Sequence, residues 1–168
     1  MIRLAFLFAA LTAAVPLQAH AVDHGGYGGP TVGVGLVDGE ALPLVGGRGG
    51  WIIDHRLVLG GALAGVPHFG GWPEVSYWQG GLWAEYRLQP LARVHAGVGA
   101  VLGVSVLEPH GEALSAHPCA ELTVSTGVAV TSFFHLDLAV GYRLAAGDGT
   151  SRRAGGPNAS LMFRFGAF

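Results

Sequence analysis

The sequence predicts an all-β protein, an eight-stranded antiparallel transmembrane barrel whose strands run up and down. Three observations predict it. The chain is too apolar and too poorly charged for a water-exposed domain, with 51% hydrophobic residues, 12% charged residues and a mean hydropathy of +0.46, against roughly 25% charged residues in typical soluble domains. Beyond the N-terminus it has no run of about 18 apolar residues that would make a spanning helix. Its apolar residues instead recur at alternate positions in short segments. Strongly apolar chains without a spanning helix satisfy their backbone in lipid by closing a sheet on itself.

Residues 1–21 read as an export signal. Arg3 supplies the positive start, Leu4 to Val15 the apolar stretch, and Ala19-His20-Ala21 a small-x-small cleavage site. Residues 22–30 read as a Gly-rich leader and 31–168 as the barrel domain. Cys119 is the single cysteine, so no intrachain disulfide forms, and no cysteine follows the signal to carry a lipid anchor. All nine basic residues are Arg and the net charge is −2, which gives no basis for a nucleic-acid partner.

Eight strands are expected at 31–37, 44–53, 57–66, 75–88, 92–107, 116–130, 135–145 and 159–168. Short turns at Asp54-His55-Arg56, Gln89-Pro90-Leu91 and Ser132-Phe133-Phe134 alternate with longer loops around Asp38-Gly39-Glu40, 67–74, 108–115 and 146–158. The period-two signal is strongest in the fifth strand. Val94, Ala96, Val98, Ala100, Leu102 and Val104 oppose a face of Arg93, His95, Gly97, Gly99, Gly103 and Ser105. The sixth sets Leu122 and Val124 against Glu121 and Thr123, and the seventh Leu138 and Val140 against Asp137 and Gly141. The less apolar face is too small and too sparsely charged for a solvent surface, but it suits the narrow bore of an eight-stranded barrel. Trp51, Tyr86, Phe133 and Phe134 near the short turns, with Trp72 and Trp78 near a long loop, form the aromatic girdles of a membrane interface.

Parity then assigns charges to the bore: Glu85, Arg87, Arg93, His95, Glu121 and Arg143. Charges in a poorly hydrated bore must be paired, so a structural plug of ion pairs is expected rather than an ion path. A three-residue turn at Gln89-Pro90-Leu91 would set Glu85 opposite His95 and Arg87 opposite Arg93, with Glu85 neutralising the arginines.

The chain end, Phe163-Arg164-Phe165-Gly166-Ala167-Phe168, resembles the terminal strand of bacterial outer-membrane barrels, which the barrel-assembly machinery reads. Phe163, Phe165 and Phe168 are the residues that would carry this signal. Phe168 has the opposite parity to the other two, so a bulge at Gly166 is expected to return it to the lipid face; without one it points inward. The chain from residue 31 onward resembles small eight-stranded outer-membrane barrels of the OmpA/OmpX type. The segment Gly46 to Arg56 also resembles one found in outer-membrane proteins of no assigned activity.

That resemblance implies a bacterial outer-membrane location, contact with outer-membrane lipid and lipopolysaccharide, and a structural or surface-interaction role with four exposed loops. The sequence identifies no extracellular partner and calls for no cofactor. Two other classes remain open, a lipid A-modifying enzyme and a small pore. For an enzyme the outer loops offer His68, His110, His117 and Ser115, in no motif that fixes a reaction, and no Gly-x-Ser-x-Gly elbow occurs. Glu108, His110, Glu112 and His117 have irregular spacing for a metal site. A sharper metal option is His24. Cleavage after Ala21 would leave it third behind a free amine, a square-planar nitrogen set suited to Cu(II) or Ni(II).

Overall fold

The computed structural model describes residues 24–68, 75–108, 113–147 and 153–168. The expected export signal and the Trp72, His110 and Glu112 positions lie outside them. Within them the alternating segments form eight strands: β1 His24–Val37, β2 Glu40–Ile53, β3 Leu57–Gly65, β4 Ser76–Leu88, β5 Val94–Glu108, β6 Ser115–Ala129, β7 Phe134–Ala145 and β8 Gly156–Ala167. Each pairs antiparallel with its neighbour in sequence, and β1 pairs with β8 to close the barrel. The start of β1 and the end of β8 therefore lie at the end that carries the turns after β2, β4 and β6, the turn side.

Period-two alternation sets which side chains enter the bore. Odd-numbered positions of β4 (Tyr77, Gln79, Trp83, Glu85, Arg87) are buried, while Trp78, Leu82, Tyr86 and Leu88 are exposed. The same split sets Glu121 and Thr123 inside and Leu122 and Val124 outside. The outer face is a belt of exposed Val and Leu, with Leu82 76% exposed and Leu102 63%. A contiguous apolar surface of this kind is a lipid-facing surface, not that of a soluble domain. Trp51, Tyr86, Phe133 and Trp78 are exposed near strand ends, as girdles require.

Two boundaries, at the start of β1 and the start of β2, differ most from expectation. From His24 onward the supposed leader is strand: His24 is opposite Ile53 of β2, and Gly26 is opposite Ala167 of β8. The glycines there hid the alternation that marks a strand, because a residue without a side chain shows no face. The connection between β1 and β2 is the tightest of all, with Val37 directly opposite Glu40. Long and short connections therefore do not alternate strictly, and three longer connections, not four, lie at the loop side. Asp38 and Gly39 both have positive φ, 53° and 80°, the pattern of a type I′ hairpin that matches strand twist. A β-branched residue is strained there, so Gly39→Val should lower stability by about 1–2 kcal/mol, read as a shifted urea midpoint in lipid vesicles.

Candidate functional site: the packed bore

The bore holds two polar networks joined by one tryptophan. Near the turn side, β8 contributes Arg164 and β4 contributes Glu85. Arg164 grips Glu85 with both terminal nitrogens, at 2.9 and 3.0 Å, and lies 2.7 Å from Asp137 of β7. This fork-to-carboxylate geometry is the strong form of the pair. Tyr27 of β1 donates to Glu85 at 3.2 Å, and its ring lies under the Arg164 guanidinium at 4.6 Å. Asp137 also meets His95 of β5 at 3.2 Å.

Farther from the turns, Arg48 of β2 pairs with Glu121 of β6 at 3.0 Å, and Gln79 of β4 donates to the other Glu121 oxygen at 2.6 Å. Tyr77 donates to Gln79 at 2.6 Å. Arg143 of β7, fully buried, donates to the carbonyls of Ala154 at 2.6 Å and Leu36 at 3.0 Å and stacks over Tyr77 at 4.4 Å. Trp83 links the two networks. Its Nε1 donates to Tyr27 at 3.1 Å, and Arg48 lies 4.6 Å above its ring.

Each end of the bore is closed by a different chemistry. At the loop side Val37, Leu42, Leu44, Val66, Leu107 and Ala154 form a buried apolar cluster. Ala154 is held there by Arg143, and its neighbour Arg153 forms an ion pair with Asp38 of the β1–β2 turn. At the turn side Phe168 stacks on His135, ring centroids 3.6 Å apart, and on Tyr27 at 6.0 Å. Between the two ends a cavity of about 20 Å³ remains beside Thr31, Arg48, Gln79, Glu121, Asn158 and Ser160. It has room for about one water molecule, and the buried Asn158 amide nitrogen, which has no protein partner, is a ready donor to it.

Of the six charges assigned to the bore, the structure places five there: Glu85, Arg87, His95, Glu121 and Arg143 are all buried. Arg93 is not among them. It is exposed in the turn before β5. The expected register is displaced by four residues along β5. Glu85 is opposite Gly99 and Arg87 opposite Gly97, and the ladder ends at Leu88 opposite Ala96. The parity rule held, so the connection is not a two-residue turn, but it is longer than three. Glu85 therefore neutralises Arg164 across the bore instead of Arg93 beside it. Glu121 and Arg143 are directly opposed in the β6–β7 ladder, yet each turns to other partners.

Phe168 points inward. The β1–β8 register is the same on both sides of a gap at Gly29 and Pro30, from Asn158 to Ala167, with no bulge at Gly166, while Phe165 is exposed on the lipid face and stacks on Phe134 at 5.0 Å. His24 is already in the β1 ladder with its ring against Trp51 at 5.6 Å, so it does not sit in a free leader. His117 is buried in β6, and Ser115 donates to the Leu107 carbonyl at 3.1 Å. Neither belongs to a surface loop.

Sequence reasoning missed Arg48, Arg164, Asp137 and His135 as site residues. Arg164 was recoverable, since it alternates with Phe163 and Phe165. Arg48 was not, because it stands alone in a run of glycines.

No protein-family model matches the chain, and no curated protein sequence is similar to it. Its fold is that of the small eight-stranded outer-membrane barrels. The N-terminal β-barrel domain of Pseudomonas aeruginosa OprF superposes with a TM-score of 0.69 at 13% identity, covering 86% of this chain and 98% of that one. Neisserial surface protein A gives 0.61 at 12% identity, covering 86% and 96%. Ail of Yersinia pestis, solved with the heparin analogue sucrose octasulfate, gives 0.50 at 9% identity, covering 86% and 98%.

Proposed function

We propose that this protein is an integral barrel of the bacterial outer membrane with a structural or surface-interaction role, without catalytic activity and with a closed bore. The observation that carries this reading is an apolar outer belt around a bore filled by ion pairs and stoppered at both ends. It stabilises a spanning sheet and, among the described residues, leaves no continuous water path for conduction. The longer loop-side connections are the surface offered to lipopolysaccharide and to extracellular partners. The barrel-assembly machinery is the partner for insertion, with Phe163 and Phe165 on the lipid face available as its signal.

The other two classes have less support. A pore needs the apolar loop-side cluster to part. Of the residues an enzyme could use, His117 is buried and the Ser115 hydroxyl is occupied by a backbone carbonyl, while the exposed His68 has neither of them beside it at a surface.

The test is fractionation combined with two activity assays. The exported protein should partition with outer membranes and show a β-type circular dichroism spectrum in detergent and heat-dependent gel mobility. Planar bilayers should show no discrete conductance, and lipid A mass spectra should not change with expression. A detergent-independent soluble monomer would sink the membrane reading. Stable conductance steps, or a lipid A mass shift, would transfer the function to the pore or to the enzyme.

A further inference from the structure

Arg87 is the unusual charge of the bore. It is 1% exposed, yet no carboxylate receives its hydrogen bonds. Its Nη2 meets His135 Nδ1 at 3.4 Å, while Nε and Nη1 have no partner. Of the nearby acids, Glu85 is hydrogen-bonded by Arg164 and Asp137 is ion-paired with it. One face of the guanidinium is covered by the Phe168 ring, at 5.3 Å, and the same ring lies flat on His135, inclined by 12°. His95 is next to His135, ring centroids 5.1 Å apart, and its Nδ1 is also buried without a partner. Phe168 follows the last residue of β8, so a rotation about its own bonds moves the ring without breaking the ladder.

We propose that Phe168 is a lid over the turn-side mouth of the bore, poised between a seated and an open position, which controls the access of water to Arg87, His95 and His135. Seating the ring gains stacking on imidazole and guanidinium. It also leaves the Arg87 Nε and Nη1 groups and the His95 Nδ1 dry and unbonded, a cost of the same order. Opening reverses both terms, because water then reaches those groups while the stack is lost. Contacts that offset each other in this way make a two-position element, whereas the Arg164–Glu85 pair behind it, joined by two hydrogen bonds, stays in place. The lid opens only a mouth and not a channel, since the apolar loop-side cluster still closes the far end.

Diethyl pyrocarbonate, which acylates accessible imidazoles, reads the lid residue by residue when the sites are located by mass spectrometry. In the unaltered barrel in detergent, His135 should react more slowly than His55, which lies in the β2–β3 turn. In Phe168→Ala, His135 should react at least about tenfold faster, as removal of a local opening step allows. His117, buried in the bore at the loop side, should keep its native rate. This control separates lid opening from general loosening, which would speed both. The proposal is overturned if His135 of the unaltered protein already reacts as fast as His55, if Phe168→Ala leaves His135 unchanged, or if His117 accelerates with it. Should Phe168→Ala not reach the heat-modifiable folded form, Phe168→Leu, which keeps bulk but not the flat ring, is read by the same three criteria.

Discussion

Glu85→Ala is expected to destabilise the folded barrel by about 3–5 kcal/mol, the usual cost of removing one partner of a buried ion pair. Glu85 is 3% exposed and accepts three hydrogen bonds, two from Arg164 and one from Tyr27. Its loss leaves the Arg164 guanidinium, itself 2% exposed, to Asp137 alone, and Tyr27 without an acceptor. Glu85→Gln keeps the shape and one acceptor oxygen, so it should fall between the native protein and the alanine variant. Arg93→Ala, in the exposed turn, should stay within about 0.5 kcal/mol. Arg164→Ala should cost about as much as Glu85→Ala. The double variant should cost clearly less than the two together, because the second deletion removes a charge the first had orphaned. Urea unfolding in phospholipid vesicles, followed by gel mobility and tryptophan fluorescence, measures all five. Equal midpoints for Glu85→Ala and Arg93→Ala would show that the bore network contributes little to stability.

That contrast between Glu85 and Arg93 marks how far the sequence could be read. Alternation is a local property, and it placed Glu85, Arg87, His95, Glu121 and Arg143 inside from neighbours one or two residues away. Pairing is not local. Parity restricts the β4–β5 connection to odd lengths, but a three-residue turn and a longer one satisfy it equally, and only the longer one leaves Arg93 outside. The left-handed backbone at Gln89, φ 50°, belongs to a residue type that gives little turn signal. Contacts across the bore are harder still. Arg164 and Glu85 lie 79 residues apart and Arg48 and Glu121 73, so they meet only once the barrel has closed with a definite stagger. Phe168 had both outcomes open in its parity. The terminal-strand resemblance favoured the lipid face, and the inward seat won because the β8 ladder continues without a bulge and His135 and Arg87 present a flat surface to the ring.

Trp83 and Gly99 should behave as a coupled pair, and this is the second large effect expected. Trp83 is 3% exposed, and its indole fills the space that a side chain at Gly99 would need: a Cβ built there would overlap the six-membered ring. Both positions face the bore, Trp83 opposite Val101 and Gly99 opposite Glu85, so the indole lies diagonally across the strand pair onto the bare backbone. Gly99→Val should cost about 2–3 kcal/mol as overpacking. It should also push Trp83 away from Tyr27 and Arg48 and so loosen both networks at once. Trp83→Leu should cost about 3 kcal/mol through lost volume. With Leu at position 83 the space above Gly99 is open, and Gly99→Val then refills part of the cavity. The double variant should therefore be more stable than the two single costs predict by at least about 1 kcal/mol, the coupling expected of residues that share one volume. Additive costs would mean that the indole moves aside freely, and that the link it makes between the Arg164 and Arg48 networks does not hold the bore together.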